Sequence, residues 1–352
     1  MPLAVLEAAQ RAVLEIPGTG ISILGLSHRS ALFRSMLDEA EERLRRLLEL
    51  APSTRVLFLQ GGGTLQFSMA PMAMLGAGGV ADYVVSGYWS QKALESARFH
   101  GDARVAWDGA ATRFRALPGP EEPLGADGSA YLHYVSNETA EGLQFRWLPA
   151  TRAPLVCDMS SDFLSRPVDM APFSIAYAHA QKNFGVAGVT IVLVRDEVIE
   201  RSRVARLAPF LSYHAHADAR SILHTPPVFA IYVVLLMLRW LMDDVGGLAV
   251  MGRRNAEKAR VVRGALAKNA GFYRDEVLPG FASEMNVAFR TPSAALDAQF
   301  VARAESAGMI GTEGHRTRGG LRISLYNGVT LEDAQAVAAF LTEFASDAAR
   351  GR

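Results

Sequence analysis

Two apolar runs, Phe173-Ser174-Ile175-Ala176-Tyr177 and Val189-Thr190-Ile191-Val192-Leu193-Val194, flank the segment Ala178-His179-Ala180-Gln181-Lys182-Asn183-Phe184-Gly185. Short continuous apolar runs bounded by small residues read as buried strands. The connection between them therefore holds a lysine against the interior of the fold. An ammonium group there is either a packing liability or a chemical tool. Desolvation favours the neutral amine, which attacks an aldehyde to form a Schiff base. Upstream, Asp158 closes a third apolar run, Pro154-Leu155-Val156-Cys157. On spacing alone, a surface-loop lysine beside an ordinary strand-end aspartate is the commoner arrangement.

The 352 residues, half of them hydrophobic, are enough for one large core and a smaller one. Lysine plus arginine and aspartate plus glutamate number 36 each, so the formal charge is zero. That balance offers no general attraction to nucleic acid or to an anionic membrane, and points to small molecules or a second copy as partners. The single cysteine, Cys157, excludes an intrachain disulfide and a cysteine-rich zinc site, which suits a reducing cytoplasm, and no metal site is expected. The longest apolar run, Val228 to Leu238, is eleven residues between Pro226-Pro227 and Arg239. A bilayer needs about 20, so the run reads as a buried helix. Met1 to Ile16 carries Glu7, Gln10, Arg11 and Glu15 at intervals and reads as an amphipathic helix, not a signal peptide.

The chain alternates strands and helices. Leu32 to Leu50 has apolar residues at helical spacing, and the strand Arg55 to Gln60 runs straight into Gly61-Gly62-Gly63-Thr64 and a helical stretch, Leu65 to Leu75. Strand, glycine turn and helix is the layout of a phosphate cradle, with free amides and the helix dipole aimed at an anion; taken alone, a plain tight turn between strand and helix is the better reading. The Gly-Lys-Ser/Thr ending of a nucleotide loop is absent. Further strands are expected at Ala81–Gly87, Ala103–Trp107 and Tyr131–Val135, the last ending in Ser136-Asn137-Glu138-Thr139, with a helix over Tyr88 to Phe99. Val228 to Arg263 is mostly helical with a break at Gly246-Gly247. Short segments follow, including Asn286–Arg290, Leu321–Leu325 and a last helix from Leu331 with Thr330 and Asp333 as a capping box. The rhythm predicts an α/β sheet with ligands beyond its carboxyl edge. The expected division is a large domain over 16–245 and a smaller α+β domain over 246–352, with the N-terminal helix 1–15 packed nearby.

Read together, Val56 to Gly63, Ser136-Asn137-Glu138-Thr139, Asp158-Met159-Ser160-Ser161 through Leu164-Ser165-Arg166-Pro167, Ala180-Gln181-Lys182-Asn183, Thr225-Pro226-Pro227, and His315-Arg316 with Gly319-Gly320-Leu321-Arg322 carry a resemblance. From near residue 3 to near residue 348 the chain resembles the phosphoserine aminotransferase family, fold-type I, class V enzymes that use pyridoxal 5'-phosphate. The resemblance implies a large domain with a mainly parallel sheet. It makes Lys182 the Schiff-base lysine and proton carrier, and Asp158 the partner of the pyridine N–H, the two groups this cofactor needs most. Trp89 would stack on the ring and Thr139 would bond the ring oxygen; the plainer roles are a core tryptophan and a helix N-cap. Gly63, Thr64 and Gln181 would hold the cofactor phosphate, and Thr225 would reach it from the other subunit of a homodimer. Arg322 would take the substrate α-carboxylate through its bidentate fork. His28 and Arg29, with His315 and Arg316 from the partner chain, would bind the substrate phosphate or the side carboxylate of glutamate. A solvated surface charge is the ordinary fate of each of these arginines.

The implied activity is amino-group transfer between L-phosphoserine and 2-oxoglutarate in serine biosynthesis, with a possible link to vitamin B6 synthesis through phosphohydroxythreonine. Two departures bear on it. Members begin with a short Phe-x-x-Gly-Pro segment near the active site, and this chain starts about where that segment would end. His224 stands where the family has Asn before Thr-Pro-Pro, placing an imidazole toward the cofactor phosphate. A paralogue acting on another phosphorylated or acidic amino acid is the alternative. A lyase needing a mobile nucleophilic cysteine is less favoured, because Cys157 sits inside an apolar strand. A non-catalytic protein of the same fold is disfavoured by the presence of Lys182, Asp158 and Arg322 together.

Overall fold

The computed structural model describes residues 1–351. In chain order its strands are β1 (Thr54–Leu59), β2 (Val80–Val85), β3 (Asp102–Asp108), β4 (Leu132–Val135), a hairpin of β5 (Asn137–Glu138) and β6 (Leu143–Gln144), β7 (Leu155–Asp158), β8 (Phe173–His179), β9 (Thr190–Arg195), β10 (Arg274–Asp275), β11 (Asn286–Arg290) and β12 (Leu321–Ser324). Seven of them form one sheet in the order β1-β9-β8-β7-β4-β2-β3. Only β9 runs against its neighbours; the other paired strands lie parallel. The exception has a simple cause. Residues 180–189 join β8 to β9, too few for the helical crossover that a parallel pair requires.

Helices α1 (Leu3–Leu14), α2 (Ala31–Leu47), α3 (Gly62–Met74), α4 (Tyr88–Ala97), α5 (Asp196–Val204), α6 (Tyr213–Asp218), α7 (Val228–Arg239), α8 (Leu248–Lys268), α9 (Ala294–Ser306) and α10 (Leu331–Ala349) surround the strands. Strands covered on both faces read as continuous apolar runs rather than alternating ones, and β4 and β7 are buried at every position. One face packs on α1, α2 and α7, the other on α3, α4 and α5. The run expected as a buried helix is α7, with every residue from Ala230 to Leu238 buried. Among the described residues no helix is long and apolar enough to cross a membrane.

The topology delivers side chains to one edge. β1, β2, β4, β7 and β8 share a direction, and their carboxyl ends lead respectively into Gly61–Gly63, Gly87–Trp89, Ser136–Thr139, Asp158 and His179–Lys182. That is the edge where ligands of open α/β sheets bind. The sequence places these strands within a residue or two. It does not anticipate β5 and β6, whose paired residues are polar or short, nor α5 and α6.

A second sheet, β10-β11-β12, is antiparallel and carries its own aromatic core of Tyr273, Phe289, Phe300 and Phe344 against α8 and α10. Gly246 and Gly247, both at positive φ, separate α7 and its final wide turn from α8. Thr330 and Asp333 form the expected capping box at the start of α10. Inside this unit Lys258 is almost fully buried. Its Nζ donates to the carbonyls of Leu325 at 3.0 Å, Tyr326 at 2.9 Å and Val329 at 2.9 Å, closing the turn after β12. Lys258→Met would leave the Leu325 and Val329 carbonyls without this donor, while Tyr326 O keeps the Val329 amide. We expect a loss of about 2–4 kcal/mol in a denaturant melt, given the cost of unpaired buried polar groups; a loss below about 0.5 kcal/mol would contradict the role assigned to this lysine.

Candidate active site

β1 ends in Gly61 at φ 87° and Gly62 at φ 70°, a left-handed pair that only glycine adopts without strain. The turn launches α3. Its first intrahelical bond runs from Leu65 N–H to Gly61 O, so the amides of Gly62, Gly63 and Thr64 have no protein acceptor among the described residues. A side chain at Gly63 would press on Asp158 Oδ2 and Ser160 Oγ, at 3.3 and 3.4 Å. The glycines thus keep open the floor of a cavity of about 410 Å³, also lined by Thr64, Phe67, Trp89, Asp158, Ser160, His179, Gln181 and Lys182.

Lys182 sits in the turn between β8 and β9, its Nζ 4.9 Å from the centre of the Trp89 ring. Burial lowers its pKa; the charges of Asp158 and Glu138 oppose that shift and Arg322 adds to it. Asp158 is buried at the end of β7, where Oδ1 accepts the Ser160 amide at 2.8 Å. Burial raises its pKa, and its bonds with Ser160 and the charge of Lys182 hold it back. Amine and carboxylate are each costly alone, and each lowers the other's cost. The residue after the lysine locks the turn. Asn183 Nδ2 donates to Phe163 O at 2.7 Å and its Oδ1 accepts Asn327 N–H at 2.8 Å, while Asn327 Nδ2 donates to Leu164 O at 2.9 Å. This buried amide lattice ties the lysine turn to the segment after Asp158 and to the turn that Lys258 closes.

The opposite wall is α4. Trp89 Nε1 donates to Thr139 Oγ1 at 3.0 Å, and Arg322 Nη1 on β12 donates to Thr139 O at 3.3 Å. The Arg322 Nε is buried without a partner, a donor left over for an anion. His315 lies against Tyr88 with ring centres 4.5 Å apart, and Arg316 beside it is exposed. Burial lowers the pKa of His315, and Arg322, Arg316 and Lys182 lower it further. An amine of lowered pKa, a buried carboxylate, free helix-start amides and an indole face thus line one opening, with the unpaired Nε of Arg322 tethered to its wall.

Comparison with known proteins bears on what this opening holds. The family model described as aminotransferase class-V matches residues 1–337. The chain belongs to the class V aminotransferases. A phosphoserine aminotransferase of Laribacter hongkongensis is 44% identical over 345 residues, covering 98% of this chain and 96% of that protein. One of Geobacillus kaustophilus is 42% identical over 344 residues, covering 98% and 95%. A solved phosphoserine aminotransferase from Bacillus circulans subsp. alkalophilus superposes with a TM-score of 0.95 at 41% identity, covering 99% of this chain and 96% of that one. The structure of the pyridoxal phosphate-bound enzyme from Trichomonas vaginalis gives 0.91 at 32% identity, covering 97% and 96%. The resemblance read from the sequence holds, and the class V cofactor, pyridoxal phosphate, fits the donor set. Three free amides and a glycine floor suit its phosphate, a buried carboxylate suits its ring nitrogen, and an amine of lowered pKa suits its aldehyde.

Of the residues singled out from the sequence, Gly63, Thr64, Trp89, Asp158, Gln181 and Lys182 line the cavity, and Thr139 and Arg322 are tethered to its wall. Thr139 lies in the tight turn between β5 and β6, so its alternative role as a helix N-cap is excluded. His28, Arg29, His224 and Thr225 do not line the cavity of their own chain. Arg29 borders a separate surface hollow with Asp38, Asp218 and Arg220, and His224 packs beside Phe210 and His216, its Nδ1 3.1 Å from Thr225 O. The resemblance brings His315 from the partner chain; here its ring rests on Tyr88 of its own chain. Sequence reasoning gave no role to Ser160, His179 or Glu138. Ser160 Oγ accepts the His179 amide at 3.1 Å, and His179 Nδ1 pairs with Thr190 Oγ1 at 2.9 Å, which fixes the ring on the cavity wall. A polar residue two places after a strand-end aspartate was the available signal.

Glu141, beneath α4, supplies a pH test. Burial, reinforced by the charge of Glu138, pushes its carboxyl from 4.5 up to about 8. Between those values the folded chain keeps a proton that the unfolded chain has lost, so stability falls as pH rises, by at most about 1.4 kcal/mol per unit. Glu141→Gln has no such proton and keeps an acceptor for the Tyr88 amide. Its melting temperature relative to the wild type is expected to climb steadily from pH 5 to pH 8; a difference independent of pH would refute the assignment.

Proposed function

We propose that the chain transfers an amino group between L-phosphoserine and 2-oxoglutarate, with 3-phosphohydroxypyruvate and glutamate on the other side, as a step of serine biosynthesis. The observation that carries this reading is that Lys182 and Asp158 line one cavity, while Arg322, whose Nε has no partner, and His315 lie close enough for their charges to act with that of Lys182. Relatives with more than two fifths identity along nearly the whole chain bear the name of this activity, which supports the substrate choice.

The amides of Gly62, Gly63 and Thr64, with the side chains of Thr64 and Gln181, would hold the cofactor phosphate, Asp158 its ring nitrogen and Thr139 its ring oxygen. When bound, pyridoxal phosphate supplies an aldehyde that takes up the amino group and a ring that accepts the electron pair left when the substrate's α-proton departs. The chain's own residues do the rest. Lys182, as a free amine, would take the substrate's α-proton and return it to the carbon on the other side of the transferred nitrogen; burial lowers its pKa, which favours the base form. Asp158, buried at the end of β7, would pair with the ring nitrogen's N–H and so keep the ring electron-poor. Trp89 closes one face against water. Arg322 fixes the α-carboxylate, which fixes the α-proton relative to Lys182. A single end formed by the Arg316 guanidinium and the His315 ring would accept the phosphate of one substrate and the side carboxylate of the other, so two substrates use one site in turn.

The enzyme is a cytoplasmic homodimer in this reading, with His28, Arg29 and Thr225 serving the partner's site; their distance from their own cavity supports that arrangement. A glutamate-release assay with L-phosphoserine and 2-oxoglutarate tests the function. Lys182→Ala is expected to abolish turnover. Arg322→Leu should raise KM for both substrates by about 30-fold or more, the usual cost of removing one partner of a buried charge pair. Unchanged KM values in Arg322→Leu, or no glutamate from the wild type, would sink the proposal.

A further inference from the structure

The first turn of α4 is capped from outside its own segment. The N-cap is Gly87, which has no side chain to offer. The three following amides are taken by two carboxyl groups of the β5–β6 hairpin. Tyr88 N–H donates to Glu141 Oε1 at 3.1 Å, Trp89 N–H to Glu138 Oε2 at 3.0 Å and Ser90 N–H to Glu138 Oε1 at 2.8 Å. Both carboxyl groups are buried, and a Cβ at Gly87 would collide with both. Two buried acids side by side are expensive, and helix capping alone needs only one. Glu138 serves the amide of Trp89, the wall of the cofactor cavity. Glu141 serves the amide of Tyr88, whose ring packs against His315 with ring centres 4.5 Å apart. Its second oxygen is buried without a partner, so the group is fixed by this contact alone and by packing. The charged groups that act on it are Glu138 and Arg318, the latter in the same loop as His315.

We propose that Glu141 is a positioning residue for the anion-binding end of the substrate site: it fixes the backbone at Tyr88, and the Tyr88 ring in turn holds His315 where a substrate phosphate or side carboxylate arrives. The inference rests on the reading that His315 meets that anion. A cap that merely stabilised α4 would alter melting temperature and leave anion affinity alone.

The test is calorimetric titration of the cofactor-loaded enzyme with inorganic phosphate, alongside steady-state kinetics with L-phosphoserine, for Glu141→Ala, Glu141→Gln, Tyr88→Ala and the double variant Glu141→Ala/Tyr88→Ala. Glu141→Ala is expected to weaken phosphate binding about tenfold, in line with the loss of one buried amide partner, and to raise KM by a similar factor with kcat within about twofold. Glu141→Gln, which keeps the acceptor, should restore both. The double variant should bind no worse than Tyr88→Ala, because both changes act through one path. Should the alanine variant fail to fold, Glu141→Asp, which draws the acceptor back by one methylene, takes its place with the same direction of change. Unchanged phosphate affinity in Glu141→Ala, equal impairment of the glutamine variant, additive losses in the double variant, or no phosphate binding by the wild type would overturn the proposal. The titration does not depend on turnover, so a wild type that binds phosphate but ignores L-phosphoserine would reject the substrate reading and leave this inference standing.

Discussion

Everything at this site depends on holding an amine and a carboxylate beside one another where burial penalises both charges. Lys182 and Asp158 are both penalised by burial, and each reduces the other's penalty. The sheet makes the arrangement possible. β7 and β8 are parallel neighbours whose carboxyl ends place the aspartate and the lysine turn at the same edge. The short return into β9 keeps that turn tight, and its cost is one antiparallel strand, next to the edge strand β1, in an otherwise parallel sheet. The glycines after β1 complete the opening by leaving the floor bare where any side chain would press on the aspartate.

The second unit of the fold contributes by reaching back. Arg322 on β12 bonds the turn that holds Trp89's partner, and Asn327 bonds the residue beside Lys182. Lys258 closes the turn in which Asn327 lies. The chain of contacts runs from a buried lysine far from the chemistry, through a backbone turn and two asparagines, to the reactive lysine. Side chains from widely separated parts of the sequence are thereby held to one geometry, which is what a proton carrier needs when the proton must pass between two carbons on either side of one nitrogen.

Much of this was legible beforehand because it is local. Apolar runs ending in Asp158, in Lys182 and in the glycine turn marked strands, strand ends and a helix start, and the resemblance gave those ends their roles. What escaped the sequence is long-range. β5 and β6 are two residues each and owe their pairing to a turn, not to any apolar pattern. α5 opens with Asp196-Glu197 and has few buried residues, so its periodicity is weak. Leu164 adopts a positive φ that no local signal announces, and it is held there by Asn327. The placing of Glu141 under Tyr88, and of His315 on the ring of its own chain, follows from packing between segments more than 50 residues apart. Residues such as Arg29 and Thr225 lie outside their own cavity, and a single chain's sequence says nothing of which copy they serve.

The most direct measurement is the visible absorption spectrum of the purified protein before and after L-phosphoserine is added with no oxo acid present. The account predicts that the band of the lysine-linked cofactor fades while that of the cofactor's amine form grows, and that 2-oxoglutarate reverses the change. A cofactor band that L-phosphoserine leaves untouched, or no band after pyridoxal phosphate is supplied, would contradict it.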